Sequence, residues 1–334
     1  MEMIACMDEN LPQKCSFPYF PRKIYVSNSR FPLPDGTALY LHRWEVPTPL
    51  AQVLIVHGMA EHGGCYGPLG AYFNQQGIQV WAHDQRGHGK TLTPSDTPML
   101  VSERDGKRLM IEDVRQLVDA MREAHPGLPV YLLGHSFGAL LACNVVQRDP
   151  EVANGLLLSA FPEYNPVLTA LGQGLAGGQQ GIWGAHSTAK LHLKLSFGLY
   201  NRTFRPNRTD FDWISSDDAQ VDAYVHDPMR GTPATVSFFK LLMDALQNAH
   251  DAKQWLPSSR QLPVFAVAGS DDPVVGKQKG FLKSMAKLEQ WFDRFDFLVQ
   301  PGARHEVLFD VAHEALWARL ADQICDWNAT AALP

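Results

Sequence analysis

Six short apolar runs recur along this chain: VLIVHG (53–58), IQVWAHD (78–84), VYLLGHS (130–136), GLLLSA (155–160), VFAVAGS (264–270) and DFLVQPG (296–302). They are continuous rather than alternating, the pattern of parallel strands covered on both faces. Upstream, residues 23–29 and 38–46 alternate apolar with polar, as antiparallel strands do, around the turn Pro34-Asp35-Gly36. Helical periodicity occupies 67–76, 107–123, 274–288 and 311–327. Strand and helix therefore alternate, which predicts a doubly wound α/β sheet.

One interval breaks the rhythm. From residue 160 to residue 264 the chain runs far longer than an ordinary crossover. Its later part, 232–248, reads as a helix returning to the sheet. Its earlier part, 161–230, is richer in glycine, asparagine and apolar residues, and reads as a cap inserted over the C-terminal edge of the strands. The expected organisation is an N-terminal extension (1–22), a first core segment (23–160), the cap (161–230) and a second core segment (231–334).

Composition narrows the function classes. A chain of 334 residues that is 45% hydrophobic can bury a large core, and 19% charged residues exclude a largely disordered one. A net charge of -6 without long like-charge runs argues against nucleic acid and against electrostatic binding to anionic membranes. Cys6, Cys15, Cys65, Cys143 and Cys325 are odd in number and form no CxxC pair, so reduced thiols are expected rather than disulfides or zinc. The opening MEMIACMDENLPQKC carries acids and no apolar run, unlike a secretory signal. The expected setting is cytoplasmic.

The chemistry centres on YLLGHSFGALLA (131–142), where a strand turns at once into a helix around Ser136. Gly134 and Gly138 lack Cβ atoms, so strand and helix can close around a strained serine whose hydroxyl is lifted above the sheet. The Phe137 N–H, first in the helix, is then free to meet an oxyanion. Gly-x-Ser-x-Gly alone is a weak signal; its strand–turn–helix context strengthens it.

A serine hydroxyl needs a base, and a base needs an orienting acid, in the chain order serine, acid, histidine. VFAVAGSDDPV supplies Asp271 and Asp272 after one later strand, and LVQPGARHEV supplies His305 after the next. Residue type and spacing leave the two aspartates open; one of them serves as a turn residue before Pro273. Glu306, beside His305, reads as a surface or helix-capping residue. A second oxyanion donor is expected from the loop VHGMAEHGGCYG, with the Met59 N–H as candidate. Each such donor is worth roughly 3–4 kcal/mol to the transition state. His57, Glu61 and His62 have the spacing HxxxEH on a glycine-rich loop, which does not fit a zinc-protease helix. AHDQRGHG (82–89) reads as a buried hydrogen-bonded network under the site, and His135 as a structural neighbour of Ser136.

HG-x-x-EH (57–62), D-x-RGHG (84–89) and GHS-x-G (134–138) together resemble the monoacylglycerol lipase and lysophospholipase branch of the α/β-hydrolases, over most of residues 25–325. That resemblance implies an α/β-hydrolase fold: a mostly parallel eight-stranded sheet flanked by helices, with an inserted, mainly helical cap. It implies Ser136 as nucleophile, His305 as base, and Met59 and Phe137 as oxyanion donors. The family's G-x-x-D pattern, laid on Gly269-Ser270-Asp271-Asp272, implies Asp272 as the acid. No cofactor and no metal are expected.

The implied substrate is a single-chain lipid ester, lysophospholipid or monoacylglycerol. Apolar cap stretches 168–184 and 191–200 read either as a lid that docks peripherally on membranes or as packing against the sheet. Competing readings are a carboxylesterase, thioesterase or peptidase of the same fold, an acyltransferase or haloperoxidase, and a non-catalytic binding protein on this scaffold. Ester chain-length series separate the hydrolases. A binding protein has no need of all three of Ser136, Asp272 and His305.

Overall fold

The computed structural model describes residues 25–189 and 198–331; the N-terminal extension and part of the apolar stretch 191–200 lie outside the described residues. Eight strands form a single sheet: β1 (Tyr25–Pro32), β2 (Ala38–Glu45), β3 (Ala51–Val56), β4 (Ile78–Asp84), β5 (Val130–His135), β6 (Gly155–Ser159), β7 (Val264–Gly269) and β8 (Phe295–Gln300). Their spatial order is β1-β2-β4-β3-β5-β6-β7-β8. The β1–β2 and β2–β4 pairs are antiparallel and every other pair is parallel.

The apolar runs hide a strict alternation. Leu54 and Val56 of β3, with Leu132 of β5 and Leu156 and Leu158 of β6, join one core. Val53, Ile55, Tyr131, Leu133 and Leu157 join another on the opposite face. The first core is covered by α2 (Gly106–Ala124), α3 (Phe137–Arg148), α6 (Val236–His250) and α7 (Lys277–Leu288). The second is covered by α1 (Gly67–Gln75) and α8 (His313–Ala331). Because both faces are covered, both sets of side chains are apolar, and each fully buried leucine contributes roughly 1.5–3 kcal/mol.

Between β6 and β7 the chain forms α4 (Pro166–Trp183), α5 (Asp218–His226) and then α6. Asn165 caps α4 by accepting from the Val167 and Leu168 N–H groups, and Thr235 caps α6 by accepting from that of Phe238. α7 begins three residues later than periodicity suggests, at Lys277, because Asp272 to Gly276 form a turn at the end of β7. The parallel strands all end at one edge of the sheet, so the loops after β3, β5, β6, β7 and β8 gather there.

Candidate active site

The turn after β5 is built as tightly as its glycines suggest. Ser136 adopts φ 51° and ψ −117°, a conformation costly for a residue with a side chain. A Cβ on Gly138 would stand 1.9 Å from the Val56 carbonyl oxygen, and one on Gly134 would stand 2.5 Å from the Gly138 carbonyl oxygen. Strand and helix therefore meet backbone to backbone, and the Ser136 N–H is held by the Ser159 carbonyl at 2.9 Å. The strain is locked by packing on both sides.

Two distant segments converge on the serine. His305, after β8, places Nε2 2.9 Å from Ser136 Oγ and Nδ1 2.9 Å from Asp272 Oδ2, after β7. With Asp272 ionised, Nδ1–H donates to the carboxylate and Nε2 accepts from the serine hydroxyl. Asp272 is fully buried, whereas Asp271 is exposed and its backbone N–H donates to the Ala303 carbonyl. Asp272 Oδ1 also accepts the Val274 N–H at 2.8 Å. The turn role and the histidine-pairing role thus fall on the same aspartate, rather than being shared between the two.

Met59 and Phe137 both line the cavity beside Ser136. A Cβ on Gly58 would lie 3.4 Å from Ser136 Cβ, so the Met59 loop runs directly against the serine. Phe137 is the first residue of α3, where an N–H has no intrahelical acceptor, and its ring packs on Phe238 at 5.1 Å.

Behind the loop after β3 lies the expected polar network. Asp84 accepts from His42 Nε2 at 2.9 Å, the Gly63 N–H at 2.8 Å and the Lys90 N–H at 2.7 Å. His57 Nε2 accepts the Gln85 N–H at 2.9 Å, and burial keeps this imidazole neutral by pushing its pKa well below the usual value. His42, His62 and Asp84 bring donor atoms within 4.8 Å of one another, but those atoms are already engaged in this network or, for His62, with Asp227 and Gly64.

Glu306 corrects the sequence reading. It is buried and lines the cavity instead of capping a helix at the surface. Glu306 Oε1 lies 3.3 Å from Arg230 Nη2, and its Oε2 lies 3.6 Å from His135 Nε2. Burial alone would raise the Glu306 pKa, but His135 and Arg230 outweigh it and hold the group ionised. Glu61 is raised by burial and by the charge of Glu306. Burial would lower His135, yet Glu306 and Glu61 raise it. No sequence motif marks Arg230, since its carboxylate partners, Glu306 and Glu61, are 76 residues away and farther.

Above these groups opens a cavity of about 510 Å³, lined beyond the serine mainly by Leu140, Leu168, Leu171, Leu175, Phe239, Leu242, Met243 and Leu246. The Hydrolase_4 family, described as serine aminopeptidase S33, matches residues 47–312. Mouse (Mus musculus) monoglyceride lipase is 30% identical over 251 residues, 74% of this chain and 74% of that protein. The chain belongs to the monoacylglycerol lipase-like family of α/β-hydrolases. Human (Homo sapiens) monoglyceride lipase is 32% identical over 197 residues, 58% of this chain and 57% of its own. Two solved structures share the fold of this family member. A Bacillus coagulans carboxyl esterase superposes with a TM-score of 0.80 at 23% identity, covering 92% of this chain and all of its own. A soluble variant of Saccharomyces cerevisiae monoglyceride lipase superposes with a TM-score of 0.70 at 18% identity, covering 94% and 99%. Among the described residues no helix is long and apolar enough to cross a membrane.

Proposed function

We propose that this protein is a serine hydrolase that cleaves carboxylic esters of single-chain lipids through an acyl-enzyme. The observation that carries the reading is the Ser136–His305–Asp272 hydrogen-bonded chain opening into an apolar cavity. His305 Nε2 takes the Ser136 proton as Oγ attacks the ester carbonyl, while the Met59 and Phe137 N–H groups receive the oxyanion. The imidazolium, stabilised by Asp272, then protonates the departing alcohol. Water follows the same path in reverse, activated by His305, and releases the fatty acid.

Monoacylglycerol is favoured over lysophospholipid because the mouse and human relatives are both named monoglyceride lipases. The two buried carboxylates near Ser136, Glu61 and Glu306, do not support the aminopeptidase reading that the family description invites. A substrate ammonium needs a free carboxylate, and Arg230 and His135 already face this pair. Residues 161–230 act as the cap in this proposal. Leu168, Leu171 and Leu175 of α4 line the cavity and remain 65%, 58% and 48% exposed, as an entrance for an acyl chain would. Val167, Ile182 and Trp183 continue the apolar exposure outward, which suits contact with a lipid surface.

The test is fluorophosphonate labelling of wild type and Ser136→Ala, followed by hydrolysis of monoacylglycerol, lysophosphatidylcholine and an acetyl ester. Labelling confined to the wild type, with turnover greatest on monoacylglycerol, is the expected outcome. Persistent labelling of the alanine variant would remove the nucleophile assignment; equal rates on acetyl and long-chain esters would remove the lipid assignment.

A further inference from the structure

Three loops carry the groups assigned above, and each sends a neighbouring residue into one buried cluster. Glu61 follows Met59 by two positions, His135 precedes Ser136, and Glu306 follows His305. The two glutamates share one partner, Arg230, the last residue of the 161–230 cap segment, and His135 faces Glu306. One guanidinium nitrogen, Nη2, lies 3.3 Å from Glu306 Oε1 and 3.7 Å from Glu61 Oε2. The guanidinium also stacks on Tyr224, 4.3 Å from the ring centroid. The next residue, Gly231, donates its N–H to the Ala60 carbonyl at 2.9 Å, which fastens the arginine's backbone to the same loop.

The carboxylates transmit the contact inward. Glu61 Oε1 accepts the Gly58 N–H, immediately before Met59, and the Tyr66 hydroxyl at 2.9 Å. Glu306 Oε2 faces His135 Nε2 at 3.6 Å, and the His135 ring stands 5.1 Å from that of His305. Arg230 Nε, Glu61 Oε2 and Glu306 Oε2 have no hydrogen-bond partner among the described residues. The cluster is therefore held largely by charge in a buried setting, where removing one member leaves the others uncompensated.

We propose that Arg230 is a positioning residue: by drawing Glu61 and Glu306 to one point it fixes the Met59 N–H and His305 relative to each other around Ser136. It touches no reacting atom. The inference rests on the serine-hydrolase reading and deepens it, because it makes the junction between the β6–β7 segment and the sheet part of the catalytic geometry. Loss of the clamp lets the two loops part, and displacements near 1 Å cost on the order of 100-fold in rate.

The experiment compares wild type, Arg230→Lys and Arg230→Met, with active sites counted by fluorophosphonate titration and Ser136→Ala as the labelling control. Arg230→Met is expected to lower kcat per titrated serine by on the order of 10–100-fold with KM within about threefold, and Arg230→Lys to recover part of it. An arginine that only supports folding would change the number of titratable sites and leave kcat per site unmoved; that result overturns the proposal. Should Arg230→Met not fold, Arg230→Lys decides: lysine keeps the charge and loses the planar fork, so kcat per site equal to wild type, with a lowered unfolding midpoint, overturns it as well. Failure of wild type to label at Ser136 would instead overturn the underlying hydrolase reading, and the two failures are distinct.

Discussion

Asp272→Asn isolates one interaction with little change in shape. Asp272 Oδ1 receives the Val274 N–H at 2.8 Å and Oδ2 receives His305 Nδ1 at 2.9 Å. In the asparagine variant the amide oxygen keeps the Val274 N–H, which leaves the NH2 group facing His305. A donor now faces Nδ1, so that nitrogen must become the acceptor and the ring proton must move to Nε2. Nε2 is 2.9 Å from Ser136 Oγ, and once protonated it can no longer accept the serine proton. The wrong tautomer costs about 10⁴ in kcat by the precedent of acid-to-amide exchange in such triads. That corresponds to about 5 kcal/mol of barrier. The packing cost is small, because the volume and the turn hydrogen bond are retained. Two readouts check it: kcat on monoacylglycerol, and the second-order rate of fluorophosphonate labelling, which reports serine activation without deacylation. Asp271→Asn is the control, and its exposed side chain should leave both within about twofold of wild type, as surface changes usually do. A loss below about tenfold in Asp272→Asn would refute the tautomer argument. An equal loss in Asp271→Asn would refute the choice between the aspartates.

Three further outcomes follow from the structure. Gly138→Ala should destabilise the fold by roughly 3–5 kcal/mol, since its Cβ would fall 1.9 Å from the Val56 carbonyl oxygen of a central strand; denaturant unfolding measures it, and a wild-type midpoint would contradict the close approach. His83, His88 and His250 have pKa values lowered from 6.5 to about 4, in each case by burial first. The unfolded chain therefore binds protons in that interval that the folded one refuses, so the stability is full above about pH 6.5 and falls as pH drops toward about 4, by up to about 1.4 kcal/mol per pH unit for each histidine. Urea midpoints across this window, in wild type and His250→Gln, should show the variant with the shallower slope; a flat profile would contradict the burial effect. Replacing Ile182 and Trp183, 71% and 68% exposed, by serine should reduce co-sedimentation with zwitterionic vesicles while sparing turnover of a soluble short ester. Unchanged co-sedimentation would sink the lipid-contact reading of α4.

Strands β3 to β7 were legible in the sequence because burial on both faces leaves continuous apolar runs, whereas β8, read from the same kind of run, is an edge strand exposed at Asp296 and Phe297. Tyr131, Leu132 and Leu133 divide between the two cores in the structure, yet as a string they are simply apolar, which is why strand position was readable and face assignment was not. The convergence of Ser136, Asp272 and His305 was legible for a related reason. A parallel sheet puts every strand's C-terminal end on one side, so residues just after different strands meet whatever their separation along the chain. Glu306 and Arg230 lacked any such rule. A glutamate after a loop histidine has the local signature of a surface residue, and its burial is made tolerable by His135 and by a cation 76 positions away, neither near it in sequence. Local pattern reports what a residue does to its own element. It is silent about a charge that is buried because another segment of the chain arrives to meet it, and in this fold the segment that arrives lies between β6 and β7, where periodicity is weakest.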